Sequence, residues 1–219
     1  MIKNKEKITA KLKKALGAEK VKENVLLAPL TTFGIGGPAF WFITAENKKE
    51  ILEAIKASRE LEIPFFILGG GSNILIADQG FPGLVIRVKN ESLLVKEEKI
   101  TAGAGLALAK LVESAQKNLL SGLECCVGIP GTVGGAVCGN AGAREEWIGQ
   151  IIEGVSIIDK KNKIAHLSNR DCKFSYRESR FKNNSQEVIL EADFALKKEK
   201  REVIEQKIKS FLEARENQP

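Results

Sequence analysis

The sequence predicts an α+β protein built as two small units, on three observations. Apolar residues recur at helical spacing in some stretches and at every second position in others, so helices and half-buried strands both occur. The order of these patterns restarts near Asn90, where a first β-α-β-β run ends and a second set of strands and helices begins. At 219 residues, 43% apolar and 28% charged, the chain has the length and apolar content for a sizeable core in one domain or two small ones.

Taken in order, residues 4–16 set Ile8, Leu12, Ala15 and Leu16 on one helical face, and Gly17 supplies the stop. PLTTFGIGGPAFWFIT, residues 29–44, reads as a glycine-bearing turn feeding a strand over Ala39–Thr44. Asn47 with Glu50 three residues on is the signature of an N-cap and its box partner. The helix it opens buries Ile51, Ala54, Ile55 and Ser58 and stops before Pro64. Strands over Phe65–Leu68, Ile74–Ile76 and Leu84–Val88 complete the first unit.

In the second unit Lys99–Ala102 reads as a strand, and Leu108, Leu111, Val112, Ala115 and Leu119 form a helical stripe ending before Gly122. Ile151–Asp159 and Ile164–Ser168 make a hairpin around the turn KKNK. Strict alternation of Val188, Leu190, Ala192, Phe194 and Leu196 marks a half-buried strand of an antiparallel sheet. A last helix, about 201–214, carries Ile204, Ile208 and Phe211 on its buried face. The expected organisation is an N-terminal helix in 1–20, a first unit in 21–89, a second in 90–200 and a final helix in 201–219.

Composition excludes several function classes. No apolar run approaches the roughly 20 residues a bilayer span needs, and MIKNKEKITA has no apolar core of a secretory signal, so a cytoplasmic protein is expected. Cys125, Cys126, Cys138 and Cys172 show no CxxC pairing, and His166 is the only histidine. Neither a metal site nor a disulfide framework is expected, and the cysteines read as small buried hydrophobes. His166, in the hairpin strand IAHLS, is expected to face solvent. A net charge of +6 suits an anionic ligand, and without basic-aromatic interleaving it does not call for nucleic acid.

Three glycine segments carry the chemistry. GGGSN, Gly69 to Asn73, sits between the apolar runs PFFIL and ILI. Backbone N–H groups of Gly69, Gly70 and Gly71 can converge on an anion, with Ser72 and Asn73 as side-chain donors. The stretch is neither GxGxxG nor GxxxxGK[ST], and a hairpin turn of small residues is the plain alternative. GIPGTVGGAVCGNAGA, Gly128 to Ala143, has six glycines and almost nothing bulky, so it cannot build a core of its own. Ile129, Pro130, Val133 and Val137 make it too apolar for a solvated linker. It reads as backbone lying flat against a planar or extended ligand. The third segment is TTFGIGG at 31–37. Together they favour a large ligand with phosphate and a flat ring system, which FAD would satisfy.

The segments TTFGIGGPA, ILGGGSNILIADQGFPGLVI, GLECCVGIPGTVGGAVCGNAGA and FSYRESRFK, in this order and spacing, resemble the UDP-N-acetylenolpyruvoylglucosamine reductase family. The resemblance runs from about residue 20 to the end of the chain and implies a two-subdomain FAD-binding fold of vanillyl-alcohol oxidase type. It implies that Thr32 and Gly34 bind FAD and that Gly69, Gly70, Gly71, Ser72 and Asn73 stand at its pyrophosphate. Gly128, Ile129, Pro130, Gly131, Gly134, Gly135, Asn140 and Gly142 would then line the cofactor. It further implies that NADPH reduces the flavin and leaves, that the enolpyruvyl sugar nucleotide takes its place, and that hydride then gives UDP-N-acetylmuramate for peptidoglycan. Arg177 in SYRES matches the family's active-site arginine, a permanent cation able to grip a carboxylate and stabilise an enolate. On the bare sequence, a surface ion pair of Arg177 with Glu178 or another acid is the alternative.

The family pattern continues into a third, substrate-binding domain with a proton-donating serine and a glutamate near its end. RENQP stands about where that domain would begin, so no residue of this sequence is assigned either role. The expectation is FAD binding with poor or absent turnover, or a non-catalytic FAD module whose third domain a partner supplies in trans. A flavin oxidase of the same superfamily is a further alternative.

Overall fold

The computed structural model describes residues 4–182, 184 and 186–216. They fall into two compact units, 1–90 and 91–219.

The first unit comprises α1 (Lys5–Leu16), β1 (Lys22–Leu26), β2 (Pro38–Ala45), α2 (Lys48–Glu60), β3 (Phe65–Leu68) and β4 (Phe81–Val88). The sheet runs β1-β2-β4-β3, with β1 antiparallel to β2 and the other two pairings parallel. α2 starts where the sequence signals it. Asn47 Oδ1 accepts the Glu50 N–H at 3.0 Å, and Glu50 Oε2 accepts the Glu46 N–H at 2.9 Å. Its buried residues are Ile51, Ala54, Ile55, Ala57 and Ser58. On α1, Thr9 and Leu12 are buried because Trp41, wholly buried in β2, donates its indole N–H to Thr9 Oγ1 at 2.8 Å. Drawing Thr9 inward turns the face away from Ala15, which is exposed rather than packed.

Two features of this unit differ from the sequence pattern. Ile74–Ile76 is not a strand: Ile76 and Ile74 pack onto Leu27, Phe42, Leu68 and Val85, while Leu75 is 71% exposed. The backbone around them bonds across to the other glycine loop, with the Gly37 N–H reaching the Ala77 carbonyl at 3.0 Å. A three-residue apolar run thus anchors a loop without a ladder. β1, by contrast, is a strand without apolar alternation. It is an edge strand whose Lys22, Glu23, Asn24 and Leu26 are exposed, held by pairing with β2, by Val25 against the core and by bonds of Glu23 and Asn24 to α1.

The second unit comprises β5 (Leu93–Lys96), β6 (Lys99–Gly103), α3 (Leu108–Lys117), β7 (Leu120–Ser121), α4 (Val133–Cys138), β8 (Gly142–Ala143) and β9 (Glu146–Trp147). It continues through β10 (Ile152–Ile158), β11 (Ile164–Ser168), α5 (Asn169–Cys172), β12 (Val188–Ala195), β13 (Lys197–Lys198) and α6 (Arg201–Glu216). Its main sheet is antiparallel throughout, in the order β11-β10-β12-β6-β5. Ile100, Ala102, Val155, Ala192 and Phe194 are buried at its centre. α3 buries Leu108, Leu111, Val112 and Ala115 but stops at Lys117. Leu119, expected in its stripe, is 37% exposed, and its left-handed φ of 57° turns the chain into β7. α6 packs on α3 and on the turn Glu124–Cys126, burying Ile204 and Phe211 with Ile208 half-buried.

Cys125, Cys126 and Cys172 are buried and Cys138 half-buried, all with free thiols. Burial pushes the Cys172 thiol up to about 11, and it raises Cys138 as well. His166 is exposed on β11. No helix among the described residues is long and apolar enough to cross a membrane.

Candidate functional site

In the first unit the segments 27–37 and 69–80 lie across the sheet face that carries Phe42, Leu68 and Val85. They are tied to each other: the Thr32 N–H donates to the Gly71 carbonyl at 3.0 Å. Gly71 has φ +69°, and a Cβ there would overlap the carbonyl oxygen of Leu30. Its lack of a side chain therefore serves the contact between the two loops. Thr32, Gly34, Gly70 and Asn73 form the exposed edge of this cradle, while Gly69 and Ser72 are half-buried. Nothing lies within 4 Å of where a Cβ of Gly34 would stand.

In the second unit the segment from Gly128 to Gly142 is not flat throughout. Its centre is the helical turn α4, which two glycines conceal in the sequence. The turn forms because the Thr132 side chain caps it. The N–H groups of Val133 and Gly134 also bond to the carbonyls of Leu106 and Ala104, both at 2.9 Å. A Cβ on Gly134 would stand 2.9 Å from Ala104 Cβ, and one on Gly142 would overlap the Glu146 carbonyl in the β8–β9 hairpin. Those two glycines are small for the protein's own packing. Gly128, Pro130 and Gly135 are exposed, Ile129 and Gly131 are half-buried, and Gly128 and Gly131 have φ +72° and +120°. A Cβ on Gly128 would meet Arg215 Cδ at 3.2 Å and Leu212 Cδ2 at 3.5 Å, whereas at Gly135 it would meet only Thr132 Oγ1, at 3.7 Å. The Ile129 N–H donates to the Cys126 carbonyl at 3.2 Å and the Gly131 carbonyl accepts the Leu108 N–H at 3.0 Å, so Gly135 is the position with room beside its backbone.

Asn140 is 2% exposed and has both ends of its side chain engaged. Its Nδ2 donates to the Ser175 carbonyl at 2.7 Å, and its Oδ1 accepts the Gly149 N–H at 3.0 Å. It thus fastens the end of the glycine segment to the SYRES turn. In that turn, Ser175 and Glu178 exchange backbone hydrogen bonds of 3.0 and 3.1 Å. Arg177, between them, is exposed with a left-handed φ of 55°. Lys182 Nζ bonds the Arg177 carbonyl at 2.8 Å and Glu178 Oε1 at 2.9 Å. The Arg177 guanidinium has no hydrogen-bond or ion-pair partner among the described residues.

Arg177 lines a cavity of about 180 Å³ with Gly142, Glu146, Trp147, Tyr176 and two further arginines, Arg144 and Arg215. Arg215 Nε and Nη2 donate to the carbonyls of Val127 and Cys125 at 2.7 and 2.9 Å. Arg144 reaches Ser210 Oγ at 3.2 Å and lies 5.4 Å over the Phe211 ring. Two arginines therefore clasp α6 while the third keeps its fork of donors open, which suits a carboxylate or phosphate. Sequence reading missed Arg144, Trp147 and Arg215. The first two follow the glycine segment directly in REEW, and Arg215 carried no local signal.

The family model of the FAD binding domain matches residues 41–168 of this chain. UDP-N-acetylenolpyruvoylglucosamine reductase from Clostridium novyi (strain NT) is 39% identical over 214 residues, covering 97% of this chain and 69% of the relative. The chain belongs to the UDP-N-acetylenolpyruvoylglucosamine reductase family. The enzyme of that name from Clostridium tetani is 40% identical over 91% of this chain and 65% of its own length. The crystal structure of UDP-N-acetylenolpyruvylglucosamine reductase from Thermus caldophilus matches with a TM-score of 0.78 and 34% identity, over 91% of this chain and 71% of that one. A p-cresol methylhydroxylase with substrate bound, at 14% identity and a TM-score of 0.64, shares the fold alone. The family resemblance and the FAD-binding fold of vanillyl-alcohol oxidase type expected from the sequence are both borne out, and the family is one of flavin-dependent oxidoreductases.

Proposed function

We propose that the chain serves the NADPH-dependent reduction of UDP-N-acetylglucosamine enolpyruvate to UDP-N-acetylmuramate in peptidoglycan synthesis, with FAD as cofactor. Relay of hydride from NADPH to the enolpyruvyl double bond is the chemistry the flavin supplies when bound. Thr32 and Gly34, with the backbone of Gly69–Gly71 and the side chains of Ser72 and Asn73, take the diphosphate. Gly128, Ile129, Pro130, Gly131 and Gly135 line the ring system, with the most room beside the backbone at Gly135. Gly134, Asn140 and Gly142 hold that segment in shape from within.

Arg177 grips the substrate carboxylate and stabilises the negative charge that develops as hydride arrives. The observation that carries this role is its free, exposed guanidinium beside the glycine segment, in a cavity that holds two more arginines. A second reading, an FAD module completed by a partner chain, is favoured by the cavity's own chemistry. Its lining contains no serine or histidine, and Glu146 and Tyr176 are the side chains there able to give up a proton, to which a partner chain would add a donor of its own.

NADPH oxidation by the FAD-loaded chain, with and without the enolpyruvyl sugar nucleotide, tests both readings. Substrate-dependent oxidation that falls by about 10²–10³ in Arg177→Ala supports the first. Bound flavin without substrate-dependent oxidation supports the second. A chain that does not bind FAD overturns both.

A further inference from the structure

We infer that Arg87 is an anion-binding residue of the first unit and pairs with the diphosphate of FAD at the Gly69–Asn73 loop. In β4, Leu84, Ile86 and Val88 are buried on one side of the strand, and Val85 is buried on the other with Phe42 and Leu68. Arg87 shares the side of Val85, which is the face the glycine loops cross. β4 is an interior strand, flanked by β2 and β3, and such a strand ordinarily reads as an apolar run. An arginine there is out of pattern.

Register fixes where it stands. Arg87 is opposite Leu68, the last residue of β3, so it lies beside the point where Gly69 leaves the sheet. On its other side it faces Thr44 of β2. Arg87 Nε is buried and has no hydrogen-bond partner, and the guanidinium forms no ion pair among the described residues. Arg87 as a whole is half-buried, so Nε is the donor that lacks an acceptor, and a buried donor left unpaired costs about 1–3 kcal/mol. The side chain carries five N–H donors in a fork that fits phosphate oxygens. The loop next to it is the backbone cradle already described, with Ser72 and Asn73 following its glycines. An anionic ligand at that loop gives Arg87 the acceptor the protein withholds.

This inference rests on the FAD reading above, and the experiment separates the two. FAD affinity is measured by flavin fluorescence on wild type, Arg87→Met and Arg87→Lys at several KCl concentrations, alongside thermal unfolding of the FAD-free proteins. The Met variant should bind FAD about 10- to 100-fold more weakly, with a shallower salt dependence. Its FAD-free stability should be equal or higher, because an unpaired buried donor is gone. Lys should recover part of the affinity and the salt dependence. Unchanged affinity and salt dependence in Arg87→Met overturns the inference, as does a loss of affinity matched by a loss of FAD-free stability in both variants. If wild type itself does not bind FAD, the FAD reading falls, and this inference with it.

Discussion

Adjacent glycines in α4 should respond in opposite ways to one added methyl group. At Gly134 a Cβ would stand 2.9 Å from Ala104 Cβ and 3.1 Å from the Ala104 carbonyl oxygen, which also accepts the Gly134 N–H. Those atoms belong to backbone and to a Cβ, so none can swing aside. Overpacking of this kind costs about 1–3 kcal/mol, and alanine's better helix propensity returns about 0.5–1 kcal/mol. Gly134→Ala should therefore lose up to about 2.5 kcal/mol of stability. At Gly135 the only atom within 4 Å is Thr132 Oγ1, at an ordinary 3.7 Å. Gly135→Ala should leave the FAD-free protein unchanged or up to about 1 kcal/mol more stable. If the cofactor lies against this exposed backbone, the same methyl group should hold it off and weaken FAD binding by about tenfold or more. Urea denaturation of the FAD-free variants and flavin fluorescence titrations read the two effects separately. Equal stability losses at both positions would refute the packing argument. Unchanged FAD affinity in Gly135→Ala would remove that glycine from the cofactor site.

Two further outcomes follow from hydrogen bonds. Asn140→Ala strands the Ser175 carbonyl and the Gly149 N–H at a residue whose φ is +43°, and should cost about 2–4 kcal/mol. A urea midpoint near wild type would show that water replaces both bonds. The Glu50 carboxyl is held below the usual carboxylate range, first by the Glu46 backbone N–H and then by Lys20 and Asn47. With its folded pKa lower than its unfolded one, its stabilisation is present above the unfolded value of 4.5 and is lost as the pH falls through the folded value. Glu50→Gln should thus be less stable than wild type at pH 7, by about 0.5–1 kcal/mol, with the difference shrinking as the pH falls below 4.5. A difference that persists at low pH would refute the ionic origin.

Elements with their own periodicity were legible in the sequence. The Asn47 cap, the α3 stripe, the hairpin β10–β11 and the alternation of β12 all depend on residues within one element, and the structure has each of them. What escaped depends on other parts of the chain. β1 and β5 are edge strands with mostly exposed side chains, so hydrogen bonding to a neighbour, not an apolar face, makes them strands. α4 exists because Leu106 and Ala104 accept its first N–H groups, and β8–β9 is too short for any pattern to show. Ile74–Ile76 failed in the other direction: β-branched residues dense enough to suggest a strand serve as anchors for a loop.

The site was legible as a set of motifs and opaque as an arrangement. Glycine count alone pointed to close backbone approach, but the structure divides the glycines by what they approach. Gly71, Gly134 and Gly142 are small because protein atoms occupy the space a Cβ would need, whereas Gly34 faces open space and Gly135 meets only Thr132 Oγ1 at an ordinary 3.7 Å. Only the second kind can be small for a ligand's sake. Asn140 shows the same division among polar residues. Its amide, read from the sequence as a cofactor contact, is spent on Ser175 and Gly149. That makes it the physical link between two motifs 35 positions apart: the glycine segment ends in a buried side chain, and that side chain holds the turn from which Arg177 projects. The arginine's strained backbone, φ +55°, is affordable because both flanks of its turn are bonded, Ser175 to Asn140 and Glu178 to Lys182. Loosening either anchor should therefore blunt Arg177 without touching it.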